Sequence, residues 1–226
     1  MQTPTTIVFD LDGTLIHSAP DLHASANIML AGMGRAPLSL AQVISFIGNG
    51  VPVLVERCLN ATGGLPQDGG AAALESYLAA YSKNLAVLTA PYPGVIAELD
   101  RIAVRGIPMA ICTNKPQTPA CDLCAELGIA SYFAAITGGD SFAVKKPDAL
   151  PLLKTIEAIG GTPETCLYVG DSETDFLTAK AAGVAFALFS GGYLHAPIHS
   201  LDKAAVFDEW LTSNLSDWPI GREKIA

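Results

Sequence analysis

Between residues 91 and 188 the chain alternates helical and extended patterns four times, and strands spaced that way are buried most simply in one parallel sheet with helices on both faces. The pattern predicts helices near 94–105, 117–128, 148–160 and 174–182, and strands near 107–112, 134–137, 165–169 and 184–188. A further strand precedes them all. It is the apolar run Ile7-Val8-Phe9, which ends on Asp10-Leu11-Asp12-Gly13-Thr14-Leu15. The intervening residues show no convincing strand. Leu22, Ala26, Met29 and Leu30 recur there at helical spacing, and helical patterns cover 39–46, 51–61 and 70–85, punctuated by Gly48-Asn49-Gly50 and by residues 63–70. Ser18, three residues before Asp21, reads as a capping box for the first of these helices. The expected fold is therefore α/β, a doubly wound parallel sheet core with an inserted all-helical cap domain. Residues 1–16 and 89–226 would form the core, and residues 17–88 the cap, a lid over the strand ends. The tail from Leu194, with Trp210, Trp218 and the charged stretch 221–224, is not determined by pattern.

With 226 residues, half of them hydrophobic, the chain can bury a full core. Its formal charge of −9 repels phosphate backbones and anionic lipid, so neither nucleic acid nor membrane is expected as a partner. Any phosphate it binds needs local positive charge or a metal. Five cysteines, mostly within apolar stretches, read as reduced thiols rather than a disulfide framework. Cys121 and Cys124 form a C-x-x-C, but no second pair or histidine pair accompanies them, so zinc and redox chemistry are not expected. No apolar run reaches membrane-spanning length, and the first strand starts almost at Met1, which leaves no room for a leader. A soluble, cytoplasmic protein is expected, with monomer and homodimer both open.

The chemistry-bearing residues fall just after predicted strands, where open α/β sheets bind ligands. Asp10 and Asp12 end the first strand. Cys112-Thr113-Asn114-Lys115 ends the second, Lys145-Lys146-Pro147-Asp148 precedes a helix, and Gly170-Asp171 through Asp175 follows a later strand. Each group singly has an ordinary reading as a turn, a cap or a solvated lysine; together at one end of one sheet they describe phosphoryl transfer. A carboxylate attacks a phosphate monoester only if the charge on its non-bridging oxygens is neutralised. Lys146, Thr113 and a hard cation suit that task, with Mg²⁺ held by Asp10, the backbone carbonyl of Asp12, and Asp171. Asp175, one helical turn on, is better placed to orient Lys146 or a metal-bound water.

These motifs resemble those of the haloacid dehalogenase superfamily, whose four motifs align with Asp10 to Thr14, Thr113-Asn114, Lys146-Pro147 and Gly170-Asp171 through Asp175. The resemblance implies Asp10 as the nucleophile that forms an aspartyl-phosphate, Asp12 as general acid and base, Thr113, Asn114 and Lys146 as phosphate ligands, Mg²⁺ as cofactor and the helical insert as a cap. More narrowly, Ser18 to Leu22, Ile47 to Val51, Val55-Glu56-Arg57, Thr113 to Pro116, Gly138 to Ser141 and Gly191-Gly192-Tyr193 are similar to bacterial phosphoglycolate phosphatases. One departure is His17, where that subgroup usually has an aspartate.

The implied reaction is Mg²⁺-dependent hydrolysis of a small phosphate ester, 2-phosphoglycolate before others. Pyrophosphate or a sugar phosphate is the alternative within the family, and a receiver-like phosphoacceptor domain the alternative of another class. A mutase of the same family is disfavoured by Leu22 and Gly170, where it would carry a histidine and an acidic residue. For the substrate's acidic end the Gly48-Asn49-Gly50 loop is the candidate: its glycines allow close backbone approach, Asn49 offers donor and acceptor, and it opens a helix whose N-terminus favours anions.

Overall fold

The computed structural model describes residues 2–195, 197–198, 201 and 205–220. The chain runs β1 (Thr6–Phe9), β2 (Ile16–His17), α1 (Ala19–Gly32), α2 (Leu40–Ile44), α3 (Val51–Ala61), α4 (Ala71–Lys83) and β3 (Ala90–Pro91). It continues through α5 (Val95–Val104), β4 (Met109–Cys112), α6 (Gln117–Glu126), β5 (Phe133–Thr137), α7 (Ala149–Ala158), β6 (Cys166–Gly170), α8 (Glu173–Ala182), β7 (Ala185–Phe189) and β8 (Val206–Phe207). From α5 to β7 each element lies within one or two residues of its expected place, because propensity and burial point the same way along this stretch.

Among the described residues, six strands form one parallel sheet in the order β5-β4-β1-β6-β7-β8. Strands β1, β4 and β6 are buried along their whole length, which is why they read as unbroken apolar runs rather than alternating ones. Successive residues of β1 serve opposite faces. Ile7 and Phe9 join Leu99, Ile102 and Leu123 on one side, while Val8 joins Leu152, Ile156 and Phe176 on the other. From β1 the chain builds β4 and β5 to one flank, then returns past β1 to build β6 and β7 on the other. Strand order thus reverses at β1 and opens a crevice at the carboxyl ends of β1, β4 and β6.

The insert from α1 to α4 has an apolar cluster of its own, including Leu22, Met29, Leu30, Leu54, Leu59 and Tyr77. Its neck is a two-stranded antiparallel ribbon, Ile16 opposite Pro91 and His17 opposite Ala90. Strands this short leave no periodicity to read. The structure also corrects the expected capping box. Ser18 has helical backbone angles (φ −91°, ψ −11°) and its side chain caps nothing. Asp21 instead turns across the neck and accepts from Leu88 N at 2.9 Å, Thr89 N at 2.8 Å and Thr89 Oγ1 at 2.7 Å, so it ties the exit of the insert to its entry. Asp21→Ala strands these donors in a buried joint and should lower the unfolding free energy by about 2–4 kcal/mol in urea titrations. A loss under about 0.5 kcal/mol would show that the tie carries no strain of the neck.

The tail, undetermined by pattern, is anchored by one large side chain. Trp210 is buried against Phe9, Phe189 and Phe207, with ring centroids 6.2, 5.5 and 5.2 Å away. Buried Glu98 on α5 accepts from Leu215 N at 2.7 Å and pairs with Arg101 at 2.6 Å, fixing the tail to the sheet's helical layer. The charged stretch 221–224 lies outside the described residues. Among the described residues no helix is long and apolar enough to cross a membrane.

Candidate active site

Asp10 directly follows β1, and the chain turns sharply after Asp12 because Gly13 adopts φ 90°. Gly13 is needed for a second reason: any side chain there would collide with the Asp171 carboxylate. Thr14 completes the turn and donates to Asp171 Oδ1 at 2.9 Å, while Tyr193 N–H reaches the other oxygen at 2.6 Å. Asp171 itself comes off the end of β6. Gly170 is similarly crowded, since a side chain would strike Asp175.

Lys146 enters from the loop between β5 and α7 and is almost wholly buried. Its Nζ lies 2.9 Å from Asp10 Oδ1 and 2.6 Å from Asp175 Oδ1, and donates to Tyr168 OH at 3.0 Å. Burial opposes its charge, but the two carboxylates outweigh burial and hold the ammonium above its ordinary pKa. Asp175 is spoken for at both oxygens. Oδ1 faces Lys146 and Tyr168, and Oδ2 accepts from Ser172 N at 3.1 Å and Ser172 Oγ at 2.5 Å in the capping box that starts α8.

Asp10, Asp171 and Asp175 each offer an oxygen within 4.8 Å of the others, and all three are buried. Burial, opposed by Lys146 and reinforced by Asp175, pushes the Asp10 carboxyl up to about 6. Asp171 is raised well above the ordinary range by burial and by the charges of Asp175 and Asp10. Three carboxylates against one lysine leave an excess of negative charge, and Asp10 Oδ1 has no hydrogen-bond partner beyond its ion pair. An all-oxygen donor set of this charge fits a hard divalent cation. The Asp12 carboxylate is not part of this cluster and faces the other way, toward Lys115.

Beside the cluster lies a cavity of about 50 Å³. Asp10, Asp12, Thr113, Asn114 and Lys115 form its core side, and Leu22, Ile47, Gly48, Gly50, Val51 and Leu54 of the insert form the other. Thr113 Oγ1 accepts from Lys115 N at 3.2 Å. Asn114 Nδ2 donates to Lys146 O and to Gly48 O, both at 3.1 Å, and so bridges core and insert, while its Oδ1 has no partner. The structure brings all the expected core residues together. It does not bring Asn49 to the cavity: its Oδ1 accepts from Arg57 at 2.9 Å and its carbonyl from Lys145 at 2.8 Å, so Asn49 braces the loop whose glycines reach the cavity wall.

Four further residues shape the site without having been singled out for it. Tyr168 touches Lys146 and Asp175, Thr14 holds Asp171, and Tyr81 of α4 accepts from Lys115 Nζ at 2.6 Å. Lys115 stood within a motif already noted, whereas Tyr81 carries no sequence signal because only packing of α4 brings it over the core. His17 sits in the neck with Nδ1 3.0 Å from Tyr193 OH, which also accepts from Ala19 N–H at 2.9 Å, and burial lowers its pKa. All five cysteines are free, and burial pushes the Cys124 thiol up to about 12, the reverse of a reactive pair.

Residues 7–189 match the haloacid dehalogenase-like hydrolase family model. The chain belongs to that family. Its relatives include a phosphoglycolate phosphatase of Cereibacter sphaeroides (strain ATCC 17029 / ATH 2.4.9), 47% identical over 202 residues that cover 89% of this chain and 92% of the relative. Another, from Rhodospirillum rubrum, is 41% identical over 220 residues, 95% of this chain and 90% of its own. The crystal structure of a predicted phosphoglycolate phosphatase from Haemophilus somnus 129PT superposes with a TM-score of 0.88 at 31% identity, covering 93% of this chain and 96% of that one. As a haloacid dehalogenase-like hydrolase the chain is an enzyme, with the family's α/β core.

Proposed function

We propose that this hydrolase is a Mg²⁺-dependent phosphatase that cleaves a small phosphate monoester, 2-phosphoglycolate, through an aspartyl-phosphate on Asp10. One observation carries the reading: Asp10 and Asp12, two residues apart, line one cavity, and each faces a buried lysine of its own. Asp10 attacks phosphorus as the bond to the leaving oxygen breaks, and Asp12 gives that oxygen its proton. Asp12 then takes a proton from water, which attacks the phosphoryl group and frees Asp10. Lys146, held at its working position by Asp175 and Tyr168, compensates charge on the phosphoryl oxygens alongside the Thr113 hydroxyl and Asn114. Asp10, Asp171 and the Asp12 backbone carbonyl would hold the cation, which when bound neutralises the phosphoryl oxygens as a Lewis acid.

The substrate is supported by the relatives' names and by the apolar side chains Leu22, Ile47 and Leu54 on the insert's side of the cavity, which offer a sugar's hydroxyls no partner. A panel of 2-phosphoglycolate, pyrophosphate and hexose phosphates tests this through kcat/KM with Mg²⁺ present. The expected order places 2-phosphoglycolate first; a hexose phosphate or pyrophosphate in front would replace the substrate and keep the phosphatase.

The cation makes its own prediction. Because the Asp10 carboxyl sits at about 6 without metal, Mg²⁺ must displace a proton below that pH. Calorimetric titration of the metal-free protein should show Mg²⁺ affinity falling by about tenfold or more per pH unit below 6, since Asp10 and the likewise raised Asp171 must both give up their protons. Affinity unchanged between pH 5 and 7 would remove Asp10 from the metal site.

A further inference from the structure

We propose that Lys115 is the residue that selects substrates carrying a carboxylate, by pairing with the acidic end of the leaving group. The inference rests on the reading of the substrate as a small phosphorylated acid, and it moves the recognition of that acid from the insert loop to the core.

Two buried lysines face the cavity region, and their surroundings differ. Lys146 has two carboxylates at 2.9 and 2.6 Å and belongs to the phosphoryl end. Lys115 is as deeply buried, with its side chain 2% exposed, yet it has one carboxylate, Asp12, and that lies 3.4 Å from Nζ. This exceeds the ~2.7–2.9 Å of a close charge-assisted bond. Its short contact, 2.6 Å, is to the neutral phenol of Tyr81, whose ring centroid lies 4.7 Å away. A buried ammonium with one loosely engaged anion has capacity for a second.

Position decides what that second anion is. Lys115 lines the cavity next to Asp12, the group that protonates the leaving oxygen, so an anion it takes must belong to the leaving group rather than the phosphoryl group. Gly50 and Val51, the start of α3, line the same cavity, and α3 has no side-chain cap. The field at that helix end has the same sign as Lys115. On the insert's side of the cavity the side chains Leu22, Ile47 and Leu54 are apolar and offer a sugar's hydroxyls no partner. Tyr81 belongs to α4 of the insert, so the ammonium is held in place by the same insert whose α1 and α3 line the cavity.

The test uses two esters of equal length, 2-phosphoglycolate and 2-hydroxyethyl phosphate, which differ by a carboxylate against a neutral alcohol. Wild type should favour the acid by about a hundredfold or more in kcat/KM. In Lys115→Met that ratio should collapse to less than about tenfold, chiefly through KM for the acid. Lys115→Gln keeps a polar end without charge and should show the same collapse if the Met variant folds poorly. Lys115→Arg should keep most of the preference. If wild type does not discriminate, the substrate reading fails and this proposal with it. If wild type discriminates and both uncharged variants keep the ratio while losing rate on both esters equally, Lys115 only positions Asp12 and the proposal alone is overturned.

Discussion

Asp10→Asn should leave the protein folded and reduce kcat by about 10⁴-fold or more, since an amide neither attacks phosphorus nor ligates a hard cation well. The same substitution should not weaken the fold. In the metal-free protein Asp10 is a buried acid whose pKa is raised to about 6, so above that pH its ionised form costs stability rather than adding it. The sign follows from linkage: a raised folded pKa contributes stability that is present at low pH and is lost as pH rises through 6. The Asn variant escapes that loss, and Lys146 keeps Asp175 as partner at 2.6 Å. In metal-free buffer at pH 7.5 its Tm should therefore equal or exceed that of wild type. Residual activity within tenfold of wild type would remove Asp10 from the nucleophile's role, and a large drop in Tm would show that Asp10 holds the site together.

Lys146→Ala should be damaging on both axes. It removes the one lysine set against Asp10, Asp171 and Asp175, and breaking a buried pair from one side costs about 3–5 kcal/mol of stability. In catalysis it removes a preorganised positive charge, a loss of about 10²–10³ in kcat/KM. Added Mg²⁺ should restore part of the lost Tm, because a cation at the carboxylates offsets the missing ammonium, but should not restore the rate. Differential scanning fluorimetry with and without Mg²⁺, alongside steady-state kinetics, separates the two. A Tm and a kcat/KM both close to wild type would mean that Lys146 is no part of the phosphate clamp. Lys145 does not stand in for it, because its Nζ is committed to Asn49 O at 2.8 Å.

What the chain declared about itself was whatever local chemistry decides. Ile7 to Phe9 had to be a buried strand, the glycine after Asp12 had to turn, and βα alternation had to build a parallel sheet. Those three facts alone carry Asp10, Asp12, Thr113, Asn114 and Asp171 to one end of one sheet, since each follows a strand of known direction, whereas Lys146 reaches them from the long loop between β5 and α7. The strands and helices from α5 to β7 were legible for the same reason.

Tertiary structure decided where a side chain had more than one local option. Ser18 and Asp21 have the spacing of a capping box, but Asp21 finds three donors across the neck, and a carboxylate accepting three hydrogen bonds outweighs a cap. Asn49 has the right chemistry for a ligand and is taken by Arg57, eight residues on along the chain. Lys115 gained its place through Tyr81, 34 residues away, and Tyr168 joined the lysine of another loop. Sequence determined the fold, the sheet's direction and the cluster of reacting groups, because backbone preference and apolar periodicity act over a few residues. The contacts of Lys115 with Tyr81 and of Asn114 with Gly48 were settled by packing of the insert on the core, because they join segments with no covalent reason to meet.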